Sequence, residues 1–113
     1  TGIPRITIGK PSAGNARVYW SAVTTATGYD LARGSLEALR GSHGDFSAAA
    51  TDCLENDLTG TSREDADTPP AFDGFWYLVR AANCGGRTTF DSGAPSQVGS
   101  RDGEIQASPS SCP

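Results

Sequence analysis

Phe75-Trp76-Tyr77-Leu78-Val79-Arg80-Ala81-Ala82 is the stretch that decides the fold. It is rich in aromatic and β-branched residues and long enough for one strand through a sheet. With period two, Tyr77, Val79 and Ala81 share the core face, while Trp76 and Leu78 point the other way. Cys84-Gly85-Gly86 then reads as a turn, and Arg87-Thr88-Thr89-Phe90 as the returning arm of a β-hairpin.

Upstream, the same period recurs in short pieces. Ile3-Pro4-Arg5-Ile6-Thr7-Ile8 alternates apolar and polar, and Gly9 to Asn15 is turn chemistry. Arg17 to Ala22 alternates again, with Val18, Trp20 and Ala22 on one face. Tyr29 to Arg33 is a third strand, with Tyr29 and Leu31 inward. Short strands separated by turns predict an all-β sandwich of about seven strands.

The middle of the chain departs from that pattern. Ser35 ahead of Leu36-Glu37-Ala38-Leu39-Arg40 reads as a helix N-cap. Asp45 ahead of Phe46 to Leu54 reads as a second cap, because Phe46, Ala49, Ala50, Cys53 and Leu54 follow helical spacing. A short helical insertion over about 35–54 is expected. A weak strand follows at 58–62, then a charged loop, Arg63 to Pro70, closed by prolines. The expected organisation is a sandwich over 1–97 and an irregular tail over 98–113, anchored by Val98 and Ile105.

Composition narrows the function. The chain has 113 residues, no Met and a net charge of −4, with Lys10 its single lysine. An acidic chain without a basic stripe is not built for nucleic acid. No apolar run approaches the ~20 residues of a spanning helix, so direct membrane insertion is not expected. The lack of Met reads as a processed or excised chain, and three cysteines without a Cys-x-x-Cys pair suggest a disulfide in an oxidising compartment. An exported, extracellular or cell-surface protein is expected.

Several residues together carry a family likeness. Val18-x-Trp20, Gly28-Tyr29-Asp30-Leu31 and Tyr77 to Asn83 before a glycine turn resemble a fibronectin type III domain over roughly residues 3 to 95. The resemblance implies a core role for Trp20, with Tyr29 and Val79 beside it, and a tyrosine corner at Tyr77. A narrower set includes Gly28-Tyr29-Asp30, Arg33-Gly34-Ser35-Leu36, Leu39-Arg40, Phe75 to Arg80, Gly99 to Asp102 and Cys112-Pro113. It resembles exported bacterial domains that include the globular chain of split type IV pilins, geopilin domain 2. That likeness implies a short hydrophobic helical pilin chain as protein partner, and self-assembly into a filament.

Catalytic chemistry is scarce. The single imidazole, His43, lies in the flexible stretch Gly41-Ser42-His43-Gly44, without a wall to orient it as a base. Asp45, Asp52, Glu55 and Asp57 crowd one short segment instead of flanking a cleft. Glu55-Asn56-Asp57 and Glu64-Asp65-Ala66-Asp67 offer oxygen ligands without EF-hand spacing, so solvated loop charge is the expected reading. No enzymatic activity, cofactor or metal is expected.

In a sandwich, Cys53 and Cys84 should fall at the same end, which predicts a Cys53–Cys84 disulfide closing a loop worth about 3–4 kcal/mol. Cys84–Cys112 is the alternative. Trp76, Leu78 and Tyr19 are expected to face outward as an apolar docking patch, and Ile3 to lie on an edge strand that a second chain could extend. The alternative is that the insertion or the tail covers them. The expected function is a non-enzymatic assembly module, the globular subunit of a bacterial surface filament. An adhesin or carbohydrate-binding module stacking sugars on Tyr19 or Trp76, or an accessory domain of a secreted enzyme, are the alternatives.

Overall fold

The computed structural model describes residues 4–12, 15–24, 26–83, 86–87, 89–90 and 101–108. Its strands are β1 (Ile6–Ser12), β2 (Asn15–Trp20), β3 (Gly28–Ser35), β4 (Ala50–Leu58), β5 (Ser62–Asp65), β6 (Phe75–Asn83) and β7 (Gly86–Arg87). Among the described residues there are also three short helices, α1 (Leu36–Gly41) and α2 (Phe46–Ala49) between β3 and β4, and α3 (Arg101–Ala107) after β7. The strands form two antiparallel sheets, ordered β1-β2-β5 and β4-β3-β6-β7.

Registry explains which side chains meet between the sheets. Ile6 opposes Trp20 and Ile8 opposes Val18 on one sheet, while Tyr29 opposes Ala81 and Leu31 opposes Val79 on the other. Opposed residues share a face, so these sets point at each other across the sandwich. Val18, Trp20, Val23, Tyr29, Leu31, Tyr77, Val79 and Ala81 form this core. Trp20 meets Tyr29 edge to face, with centroids 5.7 Å apart. Ala22, the third residue expected on that face, lies past the end of β2 and is exposed.

The four-stranded sheet is covered on its other face too. Ala32, Ala49, Ala50, Trp76, Phe90 and Ile105 form a second core, flanked by Leu36, Ala38, Leu39, Phe46 and Leu78. This is why all but the last residue of β3 is buried, where a one-sided strand would alternate. The outward patch expected of Trp76 and Leu78 is therefore corrected. Trp76 is only 8% exposed and packs edge to face on Phe46, 5.1 Å between centroids. The chain's own helices cover that face.

Ser35 caps α1 by accepting from Ala38 N at 3.0 Å, and Asp45 caps α2 by accepting from Ser47 N at 2.9 Å. The second helix stops at Ala49, so the helix expected through Leu54 is replaced by β4. β3 has backbone groups on both edges, and β4 satisfies those that β6 does not, a demand that outweighs local helical spacing. The strand expected at 58–62 lies instead at Ser62–Asp65, inside the stretch read as a charged loop. The tail read as irregular contains α3, whose Ile105 is 2% exposed in the second core. β1 begins after Pro4, continues through Gly9 into the stretch read as a turn, and Ile3 lies outside the described residues.

Candidate functional site

Alternation along β3 places Tyr29, Leu31 and Arg33 on the inner face, so a guanidinium enters the sandwich where an apolar side chain is usual. A buried cation requires carboxylates, and three converge on it. Arg33 Nη1 donates to Asp65 Oδ1 and Oδ2 at 2.9 and 2.8 Å, and to Asp67 Oδ2 at 2.9 Å. Arg33 Nη2 donates to Asp52 Oδ2 at 2.7 Å. The guanidinium also lies 4.3 Å from the centre of the Phe75 ring. Because Arg33 is on β3, Asp52 on β4 and Asp65 on β5, this centre ties the two sheets together.

Asp65 is fully occupied. Besides Arg33, it accepts from the Tyr77 hydroxyl at 2.7 Å and from Asp67 N at 3.0 Å. Burial opposes the carboxylate charge, but the bonds from Arg33, Tyr77 and Asp67 N outweigh it and hold the pKa below the ordinary range. Asp52 is held low chiefly by its bond from Arg33. Burial, then the bond to Asp65, pushes the Tyr77 phenol up. For Arg33, burial disfavours the charge, yet the three carboxylates reverse that and raise its pKa. With both oxygens of Asp65 engaged twice, neither is available to take a proton from a substrate, and the arrangement is structural. Tyr77 thus bonds a carboxylate instead of the backbone contact expected of a tyrosine corner. The Tyr29 hydroxyl takes a backbone partner, accepting from Val23 N at 2.8 Å.

A second buried pair lies on the helical side of the same sheet. Asp30 directly opposes Arg80 in the β3–β6 registry and accepts from its Nε at 2.8 Å. Arg80 stacks 4.6 Å from the centre of Phe90. Phe90 N in turn donates to Asp102 Oδ1 at 2.7 Å, and Phe46 N to Glu104 Oε1 at 3.0 Å. These bonds fasten α3 over the second core.

The other candidates from the sequence are scattered. His43 sits exposed between α1 and α2 with φ 59°, Asp45 caps α2, and Glu55 pairs with Arg63. Among the described residues no group of His, Cys, Asp or Glu is placed to hold a metal. Cys53 is disulfide-bonded, but Cys84 and Cys112 lie outside the described residues. Tyr19 is 43% exposed on the outer face of the three-stranded sheet, the opposite side of the molecule from Trp76 and Leu78. The two halves of the expected patch are not brought together.

Two surface features were missed in the sequence. Beside the Arg33 centre is an open cleft of about 260 Å³, lined by Ile8, Ala16, Asp67, Pro69, Phe75 and Tyr77. Ile8, the last inward residue before the registry shift in β1, is 51% exposed there. The second feature is Phe72, which is fully exposed (102%) on a left-handed turn with φ 65°. That turn is braced: Asp73 accepts from Ser35 Oγ at 2.7 Å, Glu37 N at 2.9 Å and Gly74 N at 2.7 Å. Leu36 N also donates to Gly74 O at 2.9 Å. An aromatic residue inside Pro69-Pro70-Ala71-Phe72-Asp73-Gly74 has no strand or helix to bury it, and that was the available signal.

No protein-family model and no curated protein matches the chain. Among solved structures it is similar to an Fn3-like protein from Clostridium thermocellum. The TM-score is 0.55 at 21% identity, over 77% of this chain and 81% of that one. The two sheets and this likeness together make the fold an all-β sandwich of the fibronectin type III-like kind.

Proposed function

We propose that this chain is a non-enzymatic assembly module of an exported bacterial protein. More specifically, we read it as the globular subunit of a split type IV pilin, docked on a short hydrophobic helical chain. The observation that carries the assembly reading is Phe72. A whole aromatic side chain stands in water on a turn held in place by Asp73 and two prolines. Exposed aromatics on rigid supports serve as anchors at protein interfaces, because little entropy is lost when they dock. The pilin reading adds the sequence likeness to fibres whose globular and helical parts are separate chains. Sugar binding is less well supported, since Trp76, one of the two rings expected to stack sugars, is buried.

The test is isolation of the tagged chain from its own cell surface, followed by mass spectrometry of what comes with it. A short polypeptide with one long hydrophobic helix should co-purify, and the yield should fall at least tenfold in Phe72→Ser. Recovery of the chain by itself from intact filaments or membranes would overturn the reading.

A further inference from the structure

The cleft beside the Arg33 centre has two kinds of wall. Ile8, Ala16, Pro69, Phe75 and Tyr77 make most of it apolar, and Asp67 and Thr68 contribute the polar part. Asp67 is the single charged residue among the described ones that line it. We infer that this cleft receives a lysine or arginine side chain of the helical partner chain, its methylene stem on the apolar walls and its cationic end on Asp67. This rests on the assembly reading and names what the partner must present beside the surface that meets Phe72.

Three observations argue for that occupant. The first is charge. One guanidinium, Arg33, faces three carboxylates, Asp52, Asp65 and Asp67, so an excess of negative charge remains, and Asp67 brings it to the cleft. The arginines on the adjoining strands do not offset it, since Arg63 pairs with Glu55 and Arg17 with Glu64. The second is hydrogen bonding. Arg33 engages Asp67 Oδ2, while Asp67 Oδ1 and the Thr68 hydroxyl have no partner among the described residues. A carboxylate oxygen can only accept, and an ammonium or guanidinium is the charged donor that matches it. The third is size and shape. A cleft of about 260 Å³ lies below the ~300–1,000 Å³ of pockets that enclose whole small ligands, and suits one side chain. Long basic side chains lay their stems along apolar surface and keep the charged end wet, and Asp67, with its side chain 67% exposed, stands at such an end. The rings of Phe75 and Tyr77 attract a cation as well.

The position of the cleft points to the same chain that docks on Phe72. Phe72 is three residues from Pro69 and three from Phe75, so its Cα lies within about 11 Å of both walls. One helix can therefore give an apolar face to the ring and a basic side chain to the cleft. The net charge of −4 draws a basic partner in and repels a second copy of this chain.

The test titrates the purified, isotope-labelled full chain with n-butylguanidinium, a stand-in for an arginine side chain, followed by NMR. Amide signals of Ala16, Thr68 and Phe75 should shift saturably, with half-saturation at about 1–30 mM, the range expected for so few atoms. n-Pentanol, similar in length but uncharged, should bind about fivefold more weakly, the upper scale of an exposed ion pair, and pentanoate should move nothing. Added salt should weaken the guanidinium titration. Asp67→Asn should weaken it about fivefold. If a lowered melting temperature shows that Asp67→Asn disturbs the Arg33 centre, Ile8→Lys replaces it: a cation on that exposed cleft wall should exclude the guanidinium. A titration that leaves these amides unmoved, equal binding of pentanol, or unweakened binding in the variant would overturn the inference. In the cell-surface isolation, Asp67→Asn should lower recovery of the helical chain with Phe72 intact, and equal recovery would overturn the inference while leaving the assembly reading. Guanidinium binding as expected, with no helical chain recovered from the wild type, would count against the pilin reading alone.

Discussion

Gly34 on β3 directly opposes Trp76 on β6, and the indole lies where a side chain at position 34 would be. A Cβ built at Gly34 would stand 2.2 Å from Trp76 Cζ2 and 2.1 Å from Ala49 O. The missing side chain is what lets the ring lie across β3 beneath α2. Gly34→Ala should therefore destabilise the domain by about 1–3 kcal/mol or more through overpacking. Chemical denaturation reads the change, and a loss under about 0.5 kcal/mol, the scale of a neutral surface substitution, would contradict it.

Trp76→Ala should behave as a core truncation. Emptying a site enclosed by Phe46, Phe90 and Ile105 should cost about 3–5 kcal/mol, while Tyr19→Ala on the open face should cost far less. Equal stability of the two variants would restore the outward Trp76 that alternation alone suggested.

The Arg33 centre makes a sharper claim. Asp65→Ala leaves a buried guanidinium short of its best partner and Tyr77 without an acceptor, and should cost about 3–5 kcal/mol. Asp67, with a side chain 67% exposed, should cost about 1 kcal/mol or less when replaced by Asn. Thermal melting of both variants checks the order, and reversed magnitudes would refute the role given to Asp65.

Stability should fall at both ends of the pH scale. Asp65 and Asp52 have folded pKa values below the ordinary carboxylate value of 3.8, so near that value the unfolded chain binds more protons. The stabilisation is complete above it and is lost as pH falls through the folded values. Tyr77 is raised above 10.0, so its contribution is complete below that value and is lost at still higher pH. Asp52→Asn should flatten the acid limb without touching the alkaline one. Melting curves from pH 2 to 12 would show it, and an unchanged acid limb would contradict the assignment.

The sandwich was legible because Phe75 to Ala82 and Arg17 to Ala22 alternate over enough residues to set a face. Three elements were not. β4 hides behind helical spacing, since its pairing demand comes from β3, far away in sequence. β5 reads as a loop because its inward residues are charged, Arg63 toward Leu54 O and Glu55, and Asp65 toward Arg33. α3 contributes one buried apolar residue, Ile105, too few to register as periodicity. Arg33 itself was within reach. The alternation that placed Tyr29 and Leu31 inward also placed an arginine inward, and that arginine demanded carboxylates.

The most direct measurement of the assembly claim is photo-crosslinking in intact cells with p-benzoylphenylalanine in place of Phe72. A control carries the same group at Arg17, exposed on β2 of the other sheet. Covalent adducts to a short hydrophobic helical chain are predicted at position 72, and few at position 17. A chain that stays uncrosslinked at position 72, or crosslinks equally at both positions, would contradict that claim.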